Sequence, residues 1–290
     1  MIMKTQISKK EIDYLKKIVD KNSENISKNY PLSPNSFSNE DIIEGMKILI
    51  TKKITMSKKT KEFENKFAKF IGCKYALMVN SGSSANLLAM FAMINPAKKN
   101  RLKQGDECLV PALCWSTSLW PIVQAGLKPI FVDVDPQTLN ISIKDLEKKI
   151  SKKTKAILAV HVLGNSTNMS NLIKLVKKHK LKLIEDTCES LGSKFKNKNL
   201  GTFGEFGTFS FYYSHQITSG EGGMIVCNDF KNYKIIHSLR AHGWDRGLNK
   251  IKNSFNFINS GFNLRPNEIA AAIGYNQFKR LNKFKSIRLK

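Results

Sequence analysis

From Gly72 onward the chain alternates short apolar runs with stretches of helical periodicity, and this alternation narrows the possible folds more than any other feature. Tyr75–Val79, Cys108–Val110, Pro129–Val132, Ala156–Val160 and Leu181–Ile184 read as buried strands, too short for helices and bounded by turn residues. Between them, helical segments open at Ser83, near Trp115–Gln124 and over about Ser170–His179. Strands and helices in alternation imply right-handed crossovers and a sheet covered on both faces. The expected fold is therefore α/β, a three-layer αβα sandwich with a mostly parallel central sheet. Gly207–Phe211 and Gly223–Cys227 lack an intervening helix of useful length, so they are expected to join the sheet as an antiparallel addition.

The flanks are helical. Residues 1–30 are polar and charged, with a short amphipathic stretch at Ile12, Leu15 and Val19, and read as a helical extension that leads into a linker at Pro31 and Pro34. Apolar residues at helical spacing follow at Ile42, Ile43, Met46 and Leu49, and again at Phe63, Phe67 and Phe70. A last helix is expected from Pro266, carrying Ile269, Ala272, Ile273, Phe278 and Leu281.

Charge and cysteine content limit the function classes. The 48 basic and 23 acidic residues give a net charge of +25, which by itself admits nucleic acid, an anionic surface or an anionic small substrate. Lysines are spread along the whole chain without a basic and aromatic strip, which favours a lysine-rich solvated surface over a nucleic-acid groove. No stretch approaches the roughly 18 consecutive apolar residues of a membrane span, and the N-terminus lacks a secretory signal, so a cytoplasmic protein is expected. Cys73, Cys108, Cys114, Cys188 and Cys227 show neither paired spacing nor a zinc-knuckle pattern, which argues against a disulfide framework and a metal site.

Three segments carry chemistry. Asn80-Ser81-Gly82-Ser83-Ser84-Ala85-Asn86 follows a buried strand and opens an apolar helix, placing free N–H groups and hydroxyls at a helix N-terminus. It fits a phosphate cradle, or equally a plain serine N-cap. Glu185-Asp186 stands at the C-terminal end of a strand, where open α/β sheets bind ligands. A carboxylate there needs a partner: a protonated ring nitrogen, a metal, or the N–H groups of a following helix. Phe209 to Gly223 leaves a strand, enters a donor-rich turn with His215 at its centre, and returns through Gly220-Glu221-Gly222-Gly223. A lone loop histidine is more often structural than catalytic, although its pKa suits proton transfer near neutrality.

Taken in order, Pro31-Leu32-Ser33-Pro34, Gly105-Asp106-Glu107, Val110-Pro111-Ala112, Val132-Asp133-Val134-Asp135, Glu185-Asp186 and Gly220-Glu221-Gly222-Gly223 make the chain resemble the DegT/StrS family of sugar aminotransferases and dehydratases. That resemblance, from about Tyr30 onward, implies the fold-type I large domain and pyridoxal 5'-phosphate or pyridoxamine 5'-phosphate as cofactor. It implies that Gly82, Ser83 and Ser210 hold the phosphate and that Trp115 stacks on the pyridine ring. Asp186 would pair with the pyridinium nitrogen, and Glu189 falls where relatives often place a glutamine near the same ring. Asn263, in Gly261-Phe262-Asn263-Leu264-Arg265, would reach the phosphate of a neighbouring subunit in a homodimer.

His215 occupies the position of the family's Schiff-base lysine, which a histidine cannot replace chemically. The same replacement marks the branch of sugar 3-dehydratases, so the resemblance implies a nucleotide-linked 4-keto-6-deoxy sugar as substrate, with an amino acid such as glutamate as amino donor. No cysteine cluster follows the histidine loop, against the reductase-linked version of that chemistry. Family members continue into a small C-terminal domain, so residues 31–290 are expected to be a large domain that stops before it. A sugar aminotransferase, and a catalytically silent truncated dimerisation module, are the alternatives.

Overall fold

A computed structural model describes residues 8–21, 37–248 and 255–289. In chain order the elements are α1 (Lys9–Lys21), α2 (Asn39–Ile50), α3 (Lys58–Ile71), β1 (Tyr75–Val79), α4 (Gly82–Met93), β2 (Glu107–Pro111), α5 (Ser116–Gln124), β3 (Lys128–Val132), α6 (Ile143–Lys149) and β4 (Thr154–Val160). A single 3₁₀ turn, Val162–Gly164, precedes α7 (Met169–Lys178), β5 (Lys182–Asp186), β6 (Lys194–Phe195), β7 (Lys198–Asn199), β8 (Phe206–Ser210), β9 (Gly223–Cys227), α8 (Phe230–Arg240), α9 (Glu268–Lys279) and α10 (Leu281–Arg288).

Seven strands form one sheet in the order β1-β9-β8-β5-β4-β2-β3, with β6 and β7 a separate small hairpin. The pairs β2/β3, β2/β4, β4/β5 and β5/β8 are parallel. The expectation of two antiparallel strands holds for one of them. β9 runs antiparallel to β8 and β1, whereas β8 is parallel to β5, because the turn after β5 and the β6–β7 hairpin carry the chain back to the same end of the sheet without a helix.

Side chains alternate across the sheet, as a two-residue strand period requires. Leu77, Val79, Leu158 and Ile184 pack on one face with α4, α5 and α8. On the other face, Ala76, Met78, Phe209 and Val226 meet α3 and α9, and Leu109, Ile157 and Leu183 meet α6 and α7. The result is the three-layer αβα sandwich. α4 is apolar on almost every side, with Ala85, Leu88, Ala89, Met90, Ala92 and Met93 buried, so it occupies the centre of its layer.

The helices meet the sequence expectations with local differences. In α1, Ile12, Leu15 and Val19 are half-buried between exposed neighbours, and an Asn39 amide on α2 donates to Asp20. The proposed linker at Pro31 and Pro34 lies outside the described residues. Pro266 does not begin the last helix: Asn267 is its N-cap, accepting from the Ala270 N–H, and Arg280 separates α9 from α10, so Leu281 falls on the second piece. The Glu268 carboxylate accepts the N–H groups of Ser57, Lys59 and Thr60 at 2.7, 2.8 and 2.9 Å, capping α3 from the start of α9.

Candidate functional site

At the C-terminal ends of β5 and β8, against the N-termini of α4 and α5, lies a cavity of about 730 Å³. Gly82, Ser83, Trp115, Asp186, Glu189, Ser210 and His215 all line it, and Asn263 does not. Asn263 is exposed, its backbone bridges Ala241, and its side-chain oxygen accepts from Arg265 Nε at 3.1 Å.

The anion end is built by α4. Ser81 is its N-cap and accepts from the Ser84 N–H at 3.1 Å. The N–H groups of Gly82 and Ser83 have no acceptor among the described residues, which leaves the positive end of the helix facing the cavity. The serine N-cap is therefore present at Ser81, and it leaves the Gly82 and Ser83 N–H groups available beside the cavity. Gly82 permits the approach of β8: a Cβ there would lie 2.6 Å from Ser210 Cβ and 2.9 Å from Cys188 Sγ. The Ser83 hydroxyl donates to Thr117 Oγ1 at 3.0 Å, tying the cradle to α5.

Asp186 is 4% exposed. Its Oδ2 accepts from Asn86 Nδ2 and Ser118 Oγ, each at 2.7 Å, and its Oδ1 accepts from the Cys188 N–H at 3.1 Å. Asn86 is oriented by the Thr208 hydroxyl, which donates to its side-chain oxygen at 2.6 Å. No helix follows β5, so Asp186 is not a helix cap; it is a buried carboxylate held by neutral donors at the cavity wall, open to a cationic partner. The sequence analysis named Asn86 without giving it a role and did not name Ser118, although each lies three residues beyond an assigned one (Ser83, Trp115).

Glu185, next along the strand, points the opposite way. It is fully buried, accepting the N–H groups of Gly201, Phe203 and Gly204 at 2.9, 2.6 and 2.8 Å and facing His161 Nε2 at 3.2 Å. The Thr167 N–H donates to His161 Nδ1, so the ring proton sits on Nε2 and points at the carboxylate. Glu185 therefore belongs to the framework, not to the ligand end of the strand.

Trp115, the N-cap of α5, is 73% exposed and lines the cavity. Glu189 lines the cavity; its Oε2 accepts the Leu163 N–H at 2.7 Å, and its carbonyl accepts from Gln216. His215 is half-buried, and Arg288 donates to its carbonyl at 3.3 Å. Burial holds the His215 imidazole below the ordinary histidine value; Glu189 and Asp186 oppose this shift and Arg288 adds to it. Burial, reinforced by Asp186, pushes the Cys188 thiol well above its usual range, so it stays protonated. No lysine lines the cavity among the described residues.

The donor set fits a phosphorylated, protonated aromatic cofactor. The cavity lining combines a helix N-terminus with two N–H groups that have no acceptor among the described residues, a serine, a buried carboxylate and an exposed aromatic side chain.

Comparison with known proteins agrees with this geometry. GDP-4-keto-6-deoxy-D-mannose 3-dehydratase of Escherichia coli is 45% identical over 274 residues, spanning 90% of this chain and 70% of its own length. A lipopolysaccharide biosynthesis protein of Salmonella typhimurium is 38% identical over 77% of this chain and 56% of its own. A solved GDP-4-keto-6-deoxymannose-3-dehydratase with a trapped PLP-glutamate geminal diamine superposes with a TM-score of 0.85 at 44% identity, covering 88% of this chain and 69% of that one. The model of one family matches residues 36–290, and the chain belongs to it: the DegT/DnrJ/EryC1/StrS aminotransferase family.

Proposed function

We propose that the chain acts as a pyridoxal or pyridoxamine phosphate-dependent 3-dehydratase of a nucleotide-linked 4-keto-6-deoxy sugar. Two relatives carry GDP-sugar 3-dehydratase names and a solved enzyme of that name a PLP-glutamate adduct, which supports GDP as the nucleotide and glutamate as the amino donor. Together with a lipopolysaccharide biosynthesis relative, they support a 3-deoxy sugar for surface polysaccharide as the product. The observation that carries this proposal is His215 in the wall of the Asp186 cavity, with no lysine lining that cavity among the described residues. An aminotransferase uses such a lysine both to hold the aldehyde form of the cofactor and to shuttle the proton.

Each side chain has a part. The Gly82 and Ser83 N–H groups and the Ser210 hydroxyl would hold the phosphate, while Trp115 covers one face of the ring. Asp186, its Oδ2 already occupied by Asn86 and Ser118, would keep the ring nitrogen protonated through charge pairing. When bound, the cofactor supplies an electron sink conjugated to the substrate. His215, neutral near pH 7 because burial depresses its pKa, would take a proton at the cofactor's methylene carbon and give it to the departing 3-hydroxyl, which leaves as water. Histidine also leaves the amine of pyridoxamine phosphate free to meet the 4-keto group. Asn263 would complete the phosphate site of a second subunit in a homodimer, and the enzyme would work in the cytoplasm on soluble sugar nucleotides.

The test is to incubate the protein with pyridoxamine phosphate, glutamate and a panel of nucleotide-linked 4-keto-6-deoxy sugars, then weigh the products. The expected product is one oxygen atom lighter than the substrate, because the water eliminated at C3 is followed by hydrolysis that returns the 4-ketone, with glutamate converted to 2-oxoglutarate and ammonia. Replacement of the ketone by an amine would restore the aminotransferase alternative, and no product with any sugar would favour a silent module.

A further inference from the structure

Leu163 occupies a backbone conformation that a leucine seldom adopts, with φ of 51° and ψ of 29°, and its side chain is 79% exposed in the cavity wall. Left-handed backbone at a non-glycine residue is costly and persists only where its surroundings impose it. Here they do. The Leu163 N–H donates to Glu189 Oε2 at 2.7 Å, the buried Asn140 accepts the Val162 N–H at 3.0 Å, and the same Asn140 donates to the Asn165 carbonyl at 3.3 Å. The turn is thus clamped on both sides of an apolar side chain that stays largely exposed among the described residues.

Leu163 is the sole aliphatic side chain among the described residues that line the cavity. It is also coupled to the proton-moving loop, because Glu189, which holds its N–H, accepts from Gln216, the residue after His215. We infer that Leu163 is a specificity-determining residue that packs against the C6 methyl group of the sugar and selects 6-deoxy over 6-hydroxy substrates. This inference rests on the sugar-nucleotide activity proposed above.

The chemistry places that methyl near this wall. C6 is attached to C5, which is bonded to the reacting C4, so the methyl lies two bonds from the reacting carbon, and Leu163 and His215 line the same cavity. The aromatic lining is suited to flat groups, and Asp186, Glu189 and Glu221 are suited to cations; the aliphatic contact is what a methyl group needs. A hydroxyl on C6 would meet Leu163 with no donor or acceptor, losing its water without replacement.

The experiment compares two unreactive probes, GDP-6-deoxymannose and GDP-mannose, which differ by the C6 hydroxyl and lack the 4-keto group. Each is titrated calorimetrically into protein loaded with pyridoxamine phosphate. The wild type should bind the 6-deoxy probe roughly tenfold more tightly, the low end of what one group in an apolar contact is worth. Leu163→Asn matches the branching of leucine and tolerates left-handed backbone well, so it should fold; it should lose most of the preference by weakening the 6-deoxy probe alone. Leu163→Ala should behave the same way. A preference unchanged in both variants overturns the inference, as does equal weakening of both probes, which would place Leu163 against the nucleotide. Failure of the wild type to bind either probe overturns the substrate assignment itself, and the methyl contact with it.

Discussion

Replacing Gly82 by alanine tests the phosphate cradle without touching any group that does chemistry. Gly82 lies outside the left-handed region, so alanine suits its backbone and the penalty is steric. The added Cβ would sit 2.6 Å from Ser210 Cβ, 3.0 Å from Ser210 Oγ and 2.9 Å from Cys188 Sγ. Carbon contacts are ordinarily about 3.5–4.0 Å, so the first of these is short by close to an ångström. Ser210 ends β8 beside two neighbouring strands and cannot swing aside like the tip of a lysine. Overpacking of this kind costs about 1–3 kcal/mol, which in a chain of this size lowers Tm by several degrees. Relief comes from moving α4 away from β8, which also moves the Gly82 and Ser83 N–H groups from Ser210. Losing one hydrogen bond to a charged phosphate, at about 1.5–3 kcal/mol, weakens pyridoxal phosphate binding by a further factor of at least ten. Fluorescence titration gives the affinity and differential scanning fluorimetry the stability. Ser83→Ala, which keeps the N–H and removes only the hydroxyl, should cost less on both counts. Adding Cys188→Ala to Gly82→Ala removes the 2.9 Å conflict and should recover part of the lost stability. A Gly82→Ala protein with wild-type Tm and wild-type affinity would refute the cradle.

Four further outcomes are expected. Borohydride should not fix pyridoxal phosphate to the wild type, whereas His215→Lys should gain a stoichiometric covalent adduct by intact mass; an adduct on the wild type would mean that some lysine reaches the site. The acid limb of the kcat/KM profile should fall below the ordinary histidine value of 6.5, because the neutral imidazole is the active form and its pKa is depressed; Arg288→Gln, which removes a cation that disfavours imidazolium, should move that limb to higher pH, and an immobile limb would disconnect it from His215. Asn263→Ala should weaken cofactor binding by about 1.5–3 kcal/mol while leaving the fold intact, and unchanged affinity in a dimer confirmed by sedimentation would exclude the cross-subunit contact. Asp186→Asn should abolish cofactor retention at modest cost in Tm, whereas Glu185→Gln, whose amide cannot accept every N–H now aimed at the carboxylate, should cost about 3 kcal/mol or more of stability by chemical denaturation; the reverse ranking would mean that the two acids have been exchanged.

The layered fold was legible because each central strand is a short apolar run with few alternative uses. Tyr75–Val79 forms β1 with the same bounds, and the runs at Cys108, Pro129, Ala156 and Leu181 lie within one residue or two of β2 to β5. What the pattern could not supply was direction. Nothing in Phe206–Ser210 itself distinguishes a strand parallel to β5 from an antiparallel one; that depends on where the short β6–β7 hairpin delivers the chain, a tertiary matter. The missed α6 is seven residues long with a single buried side chain, Leu146, too short for a helical stripe to declare itself.

The adjacent acids show most sharply where one-dimensional reasoning stops. Glu185 and Asp186 are equally well placed by sequence, at the end of a strand where ligands bind, and a two-residue period says only that they face opposite ways. Which way each faces is settled by the neighbours of β5. Ile184 packs under α4 and α5, so Asp186, two residues on, emerges on that face and meets Asn86 and Ser118 from those two helices. Leu183 packs towards α6 and α7, so Glu185 emerges on the other face, beneath the turn at Gly201, Phe203 and Gly204 and beside His161, which follows β4 by one residue. One carboxylate is saturated by N–H donors and spends its charge holding the framework. The other receives three neutral donors and, among the described residues, no hydrogen bond from a cation at the edge of a cavity, and so keeps the capacity to pair with a charged ring. The division of labour between two neighbouring acids thus follows from which helix layer covers each face of a single strand.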